Sequence, residues 1–286
     1  MSKKIIKEII NYVRTIQIYH YISKYNNIHS KLAYSNNVQK KEITLLCNGP
    51  SLKEVLPAVS KMSNQDFVVV NFFAFSEFFK QIKPRIYCLC DGMFFLNTPK
   101  NKRREEVLKL YKILNEEVNW NMRLIIPSHF FNEFKEFSKL NNSNIEVVGA
   151  NQIDFDISEK KLHKLYKKNW ACPNPQTVAI MAIYVSINSG YKTINLYGVD
   201  HTFTQSLCVN NQNQLCMKYE HFYDTTVELK PIQDALGNYP SFAHELQTIV
   251  NIFHSHEKLE SYAKSVNCKI WNCTKGSFID AYERRL

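Results

Sequence analysis

The sequence is poor in the features that mark several common protein classes. Its 286 residues include only 7 glycines and 9 prolines, which excludes collagen-like and low-complexity chains. No apolar run approaches the roughly 18 residues of a membrane-spanning helix, so we expect no transmembrane segment. The first 20 residues lack both a clean apolar stretch and a small-residue cleavage site. We therefore expect no signal peptide and a cytoplasmic protein.

Cysteine spacing gives no metal or redox pattern. The chain has 8 cysteines but no CxxC pair. Cys88 and Cys90 lie two apart in a strand-like run, on the same face of one strand, where they are poorly placed to bridge each other. Asp154-Phe155-Asp156 formally matches a DxD metal–nucleotide motif, but the polar residues Asn151 and Gln152 precede it instead of an apolar strand. We expect reduced cysteines and no metal site.

Positive charge is concentrated at the N-terminus. Residues 1–41 hold eight Lys or Arg and one acid, which is +7 of the net charge of +10. Residues 42–286 are thus nearly balanced, so we expect no nucleic-acid partner. Residues 3–24 have the spacing of a basic amphipathic helix. Such a helix can lie on the inner face of the cytoplasmic membrane, or pack on the body or on a second copy in a homo-oligomer.

The rest of the chain alternates between strand-like and helical patterns. Strands are predicted at 43–47, 67–71, 86–90, 123–126, 145–148, 193–197 and 268–272. Helices are predicted at 52–61, 73–81, 102–118, 129–139, 176–189 and 245–266. This rhythm predicts an α/β fold: a doubly wound, mostly parallel, Rossmann-like sheet. We divide the chain into residues 1–41, a basic helix and linker, and residues 42–286, a catalytic domain. Residues 200–243, with little regular pattern, are predicted to be a lid-like insertion.

The first strand ends in a turn of distinctive composition. The apolar run Ile43–Leu46 is followed, after Cys47, by Asn48-Gly49-Pro50-Ser51 and then by a helical pattern. Gly49 permits a close approach of the backbone, Pro50 suits the first turn of a helix, and Ser51 can cap it. A phosphate can sit at such a helix start. An ordinary strand–helix connection would look the same.

Polar residues also end three other strands. Asn71 ends the second, Asp91 the third, and Gly198 and Asp200 follow the strand at 193–197. One such residue is commonly just a turn former. Because the carboxyl ends of parallel strands meet at one edge of the sheet, the four together predict a ligand cleft.

Residues outside the strand ends complete the candidate site. Gln176 and Thr177 begin a helix that should face the cleft, where they could bind a base or ribose; alternatively Thr177 only caps its helix. Histidine suits proton transfer near neutral pH, and tyrosine hydroxyls can bind phosphate. Candidates after the strand at 193–197 are His201, Tyr219, His221, Tyr223 and His244, although a single histidine there is more often structural. His254 and His256 lie in a helical pattern and are expected on the surface.

Several of these motifs together resemble a known family. The residues are Asn48-Gly49-Pro50-Ser51-Leu52, Asn71, the run from Ser189 to Asp200, and the closing run from Lys269 to Ser277. In these the chain resembles bacterial sialyltransferases of glycosyltransferase family 42. It is also similar to the MptE-like group (domain of unknown function 115), which is linked with surface polysaccharide synthesis. The matches are scattered over residues 43–285.

The resemblance implies a fold of the GT-A-variant type and a site for a CMP-linked donor sugar. It assigns donor contacts to Asn48 and Asn71, whereas Asp91 stands where the family has Asn. The family tyrosine nearest the Gly-x-Asp motif is replaced by Thr202, so Tyr219 or Tyr223 would hold the phosphate. A loop histidine, His221 or His244, would be the general base, without a metal or other cofactor.

The expected function is therefore that of a glycosyltransferase. It would move a sugar, such as sialic acid or a related nonulosonic acid, from a nucleotide sugar to a glycan or glycolipid acceptor for lipopolysaccharide or capsule. Two alternatives stay open at this point. One is a pterin-type diphosphokinase, which would need ATP, magnesium and clustered carboxylates. The other is a non-catalytic, membrane-associated scaffold or nucleotide sensor.

Overall fold

The structure is a computed structural model. It describes residues 41–99, 101–219, 228–233 and 238–285, together with ten positions between residues 10 and 32. The linker predicted to follow the basic helix of residues 3–24 lies almost wholly outside these residues, as do His221 and Tyr223 of the candidate site.

The main sheet is parallel throughout its described pairings. Its strands are β1 (Glu42–Leu46), β2 (Asp66–Val70), β3 (Ile86–Cys88), β4 (Met122–Pro127), β5 (Ile145–Ala150), β6 (Thr193–Tyr197), β10 (Lys269–Asn272) and β11 (Glu283–Arg284). Their order across the sheet is β11-β10-β6-β1-β2-β3-β4-β5. Every pairing of neighbours is parallel. The chain moves outward from β1 to β5 and then returns to the other side of β1, which makes the sheet doubly wound, as predicted.

Helices cover both faces of this sheet. They are α1 (Leu52–Val59), α2 (Phe79–Ile82), α3 (Arg104–Glu117), α4 (Phe131–Ser138), α5 (Glu159–Lys167), α6 (Val178–Asn188) and α7 (Phe242–Ser265). Helices α1 to α4 pack into the core on one face, and α5 to α7 pack into the core on the other. Ile43 and Leu45 face the second core while Leu46 faces the first, because successive side chains of a strand point to opposite faces. Strands buried on both faces read as continuous apolar runs, which is why the sequence predicts them well.

The structure differs from the predicted elements in three places. The helix expected at 73–81 is a 3-10 turn, Asn71–Phe75, followed by the short α2. Phe72, Phe73 and Ala74 are all buried, and three consecutive residues cannot share one face of an α-helix. Helix α5 was not predicted because only Leu162 and Tyr166 are buried in its lysine-rich sequence. The region 200–243, expected to be irregular, contains an antiparallel sheet of β7 (Leu207–Val209), β8 (Leu215–Tyr219) and β9 (Glu228–Pro231).

The described N-terminal positions are helical and exposed. Between 44% and 69% of the surface of Ile10, Tyr12, Val13, Ile16 and Tyr19 is accessible to solvent. Leu32, in contrast, is buried, and its carbonyl accepts a hydrogen bond from the Asn188 side chain (3.2 Å). Among the described helices, none combines the length and the apolar character needed to cross a bilayer.

Candidate active site

The candidate site lies at the carboxyl ends of four neighbouring strands. In sheet order these are β6, β1, β2 and β3, and the polar residues that follow them are Asp200, Asn48, Asn71 and Asp91. The order of the strands reverses between β6 and β1. In open α/β sheets, ligands bind beyond the strand ends at such a switch point.

The turn between β1 and α1 is held by the end of β6. The Asp200 carboxylate accepts hydrogen bonds from the Ser51 hydroxyl (2.9 Å) and the Ser51 backbone N–H (3.3 Å). A Cβ on Gly49 would lie 1.8 Å from Asp200 Oδ2 and 2.6 Å from the Gly198 carbonyl oxygen. Gly198 itself has a φ of +69°, in the left-handed region that favours glycine. The two strand ends therefore fit together only with glycine at both positions.

These contacts use backbone N–H groups at the start of α1, where the sequence predicts a phosphate site. The N–H of Gly49 donates to the Gly198 carbonyl (3.0 Å), and those of Leu52 and Lys53 donate to the Gly49 and Pro50 carbonyls (3.1 and 3.2 Å). Asp200 takes the Ser51 N–H, and its negative charge complements the positive end of α1. A carboxylate of the chain thus stands where the phosphate was expected, so Gly49, Pro50 and Ser51 shape the turn instead of presenting free donors.

Asn48 and Asn71 both have buried side-chain oxygens at the strand ends. The Asn48 side-chain N–H donates to the Val70 carbonyl (3.3 Å), which turns its Oδ1 away from β2. That Oδ1 is buried and has no hydrogen-bond partner among the described residues, and the same is true of the Oδ1 of Asn71. Asn71 has a φ of +51°, and its carbonyl accepts a hydrogen bond from Tyr87 Oη. Since a buried acceptor without a partner is costly, these two amides are poised for a ligand that donates.

The start of α6 adds a third such oxygen. Thr177 precedes the helix, but its hydroxyl does not cap the first turn, and its Oγ1 is buried without a partner. The preceding loop is fixed at Pro175, whose carbonyl lies 3.5 Å from Cys90 Sγ at the end of β3. Gln176, by contrast, is exposed. The uncapped N-terminus of this buried helix is a suitable position for an anion.

Asp91 and the nearby thiols have other local roles. The exposed Asp91 accepts a hydrogen bond from the Met93 backbone N–H (2.9 Å) and so begins the short turn after β3. Burial and the neighbouring Asp91 raise the pKa of Cys90 to about 12. Burial, followed by the Asp200 charge, also raises the pKa of Cys47 well above its usual range. Both thiols stay protonated at neutral pH and are unsuited to act as nucleophiles.

The side chains of two histidines, His201 and His256, lie close together next to Asp200. The ring centroids of His201 and His256 are 5.1 Å apart. His256 Nδ1 is 2.9 Å from Tyr282 Oη, and the Nε2 atoms of both histidines are buried without partners. Burial lowers the pKa of His201 to about 3, and burial, with His201 as a second cause, lowers that of His256 well below its ordinary value. Both imidazole rings are therefore uncharged near neutral pH.

The prediction that His256 lies on the surface is wrong. His256 is fully buried, whereas its neighbour His254 is exposed and lies 2.8 Å from Glu257 Oε2. The spacing from Ile252 through His256 and Leu259 follows the buried face of α7. Helical periodicity could therefore have found His256 from the sequence.

The Asp154-Phe155-Asp156 motif is used for packing. Asp154 accepts a hydrogen bond from Tyr166 Oη (3.0 Å) and contacts Lys258 Nζ (2.5 Å) on α7. Phe155 is buried and Asp156 is exposed. Within the described ranges, no group of three or more metal-binding side chains occurs.

The remaining candidates are only partly described. His244 is exposed in the first turn of α7, where its backbone N–H donates to Ser241 Oγ (3.2 Å). Tyr219 ends β8, and its backbone pairs with that of Glu228. His221 and Tyr223 lie outside the described residues.

Comparison with known proteins gives structural neighbours of low similarity. No protein-family model matches the chain, and no curated protein matches it. One neighbour is the sialyltransferase CstII from Campylobacter jejuni in complex with a substrate analogue, cytidine-5'-monophosphate. It is 17% identical, with 87% of this chain and 86% of that chain covered and a TM-score of 0.44. The sialyltransferase CST-II in complex with trisaccharide acceptor and CMP is 16% identical, with 85% of each chain covered and a TM-score of 0.42. Because these identities and TM-scores are low, the proposed function is argued from the residues of this chain.

Proposed function

We propose that this protein is a glycosyltransferase that binds a CMP-linked nucleotide sugar at the strand ends and transfers its sugar to a surface-glycan acceptor. The observation that carries the proposal is the set of three buried oxygens, on Asn48, Asn71 and Thr177, that have no hydrogen-bond partner in the described part of the chain. They stand at or beside the switch point of a doubly wound sheet, where nucleotides bind. The motif resemblance to family 42 sialyltransferases points to two of these residues, Asn48 and Asn71.

The chemistry of these oxygens favours a nucleoside with several donors. Amide carbonyl oxygens accept hydrogen bonds, and cytidine offers the amino group of its base and the hydroxyls of its ribose. The Asn48 Oδ1 is fixed as an acceptor because its amide nitrogen already donates to Val70. We place the nucleoside over Asn48 and Asn71, and the phosphate at the N-terminus of α6.

Transfer would proceed by attack of an acceptor hydroxyl on the anomeric carbon. The C–O bond to the nucleotide phosphate breaks, and a histidine takes the proton from the acceptor oxygen. His221 and His244 are both candidates for this base, whereas His201, whose pKa is lowered to about 3, is a poor proton acceptor. We assign the departing phosphate to tyrosine hydroxyls, from Tyr219 or Tyr223, and to helix N–H groups. EDTA should leave the rate unchanged.

Alanine substitution separates the two candidate bases. The base variant should bind the donor normally and lose at least about a hundredfold in turnover. The other histidine variant is the matched control. If both variants retain full turnover, the histidine-base mechanism is wrong.

The charge arrangement disfavours the diphosphokinase alternative. Such an enzyme would need carboxylates free to hold magnesium. Asp91 bonds to the Met93 N–H, and Asp200 bonds to Ser51, so the two carboxylates at the strand ends already have structural partners.

A thermal-shift screen tests the proposed donor. The purified protein is heated with CMP, UDP, GDP, ADP or ATP, with and without magnesium. A ligand that binds only the folded state raises the melting temperature. We expect a metal-independent shift with CMP. A shift with UDP or GDP alone would change the donor, and a magnesium-dependent shift with ATP alone would favour the kinase. Binding of CMP without any transfer would favour the nucleotide sensor.

We also propose that the N-terminal helix holds the protein on the inner face of the cytoplasmic membrane. Its described apolar residues are exposed, and residues 1–41 carry a net charge of +7. Apolar burial and attraction to anionic lipid would act together. Such a location would bring the site close to a lipid-linked acceptor.

Vesicle sedimentation tests this location. We expect the full chain to pellet with phosphatidylglycerol vesicles, and to pellet less with phosphatidylcholine vesicles or at high salt. Ile16→Asp should weaken binding, whereas Leu229→Asp is a matched control, because 51% and 55% of these two residues are exposed. Equal binding by both variants, or none by the wild type, would contradict the proposal.

A further inference from the structure

His201 and His256, beside Asp200, form a polar pair that the proposed contacts to the nucleotide do not use; His256 is buried and His201 is partly exposed. The pair consists of His201, four residues beyond β6, and His256, on the buried face of α7. Their rings are inclined at 60° with centroids 5.1 Å apart. No direct hydrogen bond joins the two Nε2 atoms, since neither has a hydrogen-bond partner among the residues that the structure describes.

Each ring is held in place by its surroundings. His256 is fixed through Nδ1 by the hydroxyl of the buried Tyr282. His201 packs against Phe203, with centroids 4.9 Å apart, and against the edge of Phe253 at 6.4 Å. The backbone of His201 has a φ of +50°, a conformation that is uncommon for non-glycine residues. The orientation of the two rings is thus built into the fold.

The pair adjoins the candidate site. His201 directly follows Asp200, which joins the ends of β6 and β1. On the other side, Ser255, next to His256, donates a hydrogen bond to the Asn174 carbonyl in the loop before α6 (3.1 Å). The pair therefore lies between the strand ends and the loop that carries Thr177.

The chemistry of the pair selects an uncharged partner. A neutral imidazole has one donor and one acceptor nitrogen, so two neutral rings can offer one group both a donor and an acceptor. A hydroxyl group can satisfy both, because it donates one hydrogen bond and accepts others. A phosphate or carboxylate would offer acceptors only, and would favour protonation of rings that burial keeps neutral.

We propose that His201 and His256 form a subsite that binds an uncharged hydroxyl of the transferred sugar between their Nε2 atoms. This rests on the proposed function, because it places the sugar next to a nucleotide held by Asn48 and Asn71. His201 and His256 would position the sugar, and neither would act as the base.

Paired titrations with CMP and CMP-N-acetylneuraminic acid test the subsite. The variants are His201→Phe, which removes the nitrogen, and His201→Gln, whose amide can replace Nε2. The loss of a buried hydrogen bond should weaken binding of the sugar nucleotide about tenfold in His201→Phe. His201→Gln should restore most of that affinity, and binding of CMP alone should stay within about twofold in both variants. His256→Phe should repeat the selective loss, and melting temperatures check that each variant is folded.

The outcomes separate the subsite from the function. Unchanged sugar-nucleotide affinity in His201→Phe, with normal CMP binding, would overturn the subsite and leave the proposed function in place. Equal losses for CMP and the sugar nucleotide would overturn it as well. Failure of the wild type to bind either nucleotide would overturn both proposals. A rise in melting temperature with zinc alone that requires both histidines would make the pair a metal site and overturn the sugar subsite.

Discussion

We expect the protein to lose stability as the pH falls from 7.5 to 5.0, with His201 responsible for about 2 kcal/mol of the loss. Burial lowers the pKa of His201 from 6.5 to about 3 in the folded state. Although part of this residue is exposed, its Nε2 is out of contact with solvent. Below pH 6.5 the unfolded chain binds a proton that the folded protein excludes, so unfolding becomes more favourable as the pH falls.

The magnitude follows from the distance between the test pH and the unfolded pKa. At pH 5.0 the unfolded histidine is 1.5 units below its pKa of 6.5, and the folded one stays neutral. At about 1.4 kcal/mol per unit, the difference is about 2 kcal/mol. This part of the free energy of unfolding is fully present above pH 6.5 and is lost progressively as the pH falls towards 3. The lowered pKa of His256 acts in the same direction.

Urea unfolding of the wild type and His201→Gln at both pH values provides the assay. The variant should lose about 2 kcal/mol less than the wild type between pH 7.5 and 5.0, because glutamine does not titrate. Asn141→Ala, an exposed substitution at the opposite edge of the sheet, serves as the control. An identical pH dependence in the wild type and His201→Gln would refute the reasoning that His201 is buried and neutral.

Two further predictions concern the contact between the turn after β1 and the end of β6. Gly49→Ala should destabilise the protein by more than about 3 kcal/mol in urea unfolding, because its Cβ would meet the Gly198 carbonyl at 2.6 Å. Gly92→Ala is the matched control and should be nearly neutral, since its nearest new contact is 3.7 Å; similar losses in both variants would contradict this packing. Ser51→Ala should cost about 1 kcal/mol and Asp200→Asn about 2 kcal/mol, because both break the link to the start of α1. In a double-mutant cycle the two effects should be less than additive, and full additivity would argue against their contact.

The sheet was predictable because its strands are buried on both faces. Phe67–Val70 is a continuous apolar run, and Ile43–Leu46 is interrupted only by the buried Thr44. Every predicted strand occurs within about two residues of its expected position. The elements that the sequence did not reveal are short or weakly periodic. Strand β7 has three residues, and two of them are exposed, so neither length nor alternation distinguishes it.

The candidate site was predictable in position and less so in its contacts. Asn48 and Asn71 stand out because each ends an apolar run, and their unpartnered oxygens agree with a binding role. The bond between Ser51 and Asp200 joins residues 149 positions apart, and no local pattern specifies such a pairing. The sequence of the turn therefore predicts a phosphate site, whereas in the structure the positive end of α1 is neutralised by the Asp200 carboxylate.

Calorimetric titration of CMP into the wild type, Asn48→Ala, Asn71→Ala and Asn141→Ala tests the central claim most directly. We predict that the wild type and Asn141→Ala bind CMP alike, with or without EDTA. Each of the other two variants should bind at least about tenfold more weakly, because a buried amide oxygen loses its donor. No CMP binding by the wild type, or equal affinity in all four proteins, would contradict a cytidine nucleotide site at these strand ends.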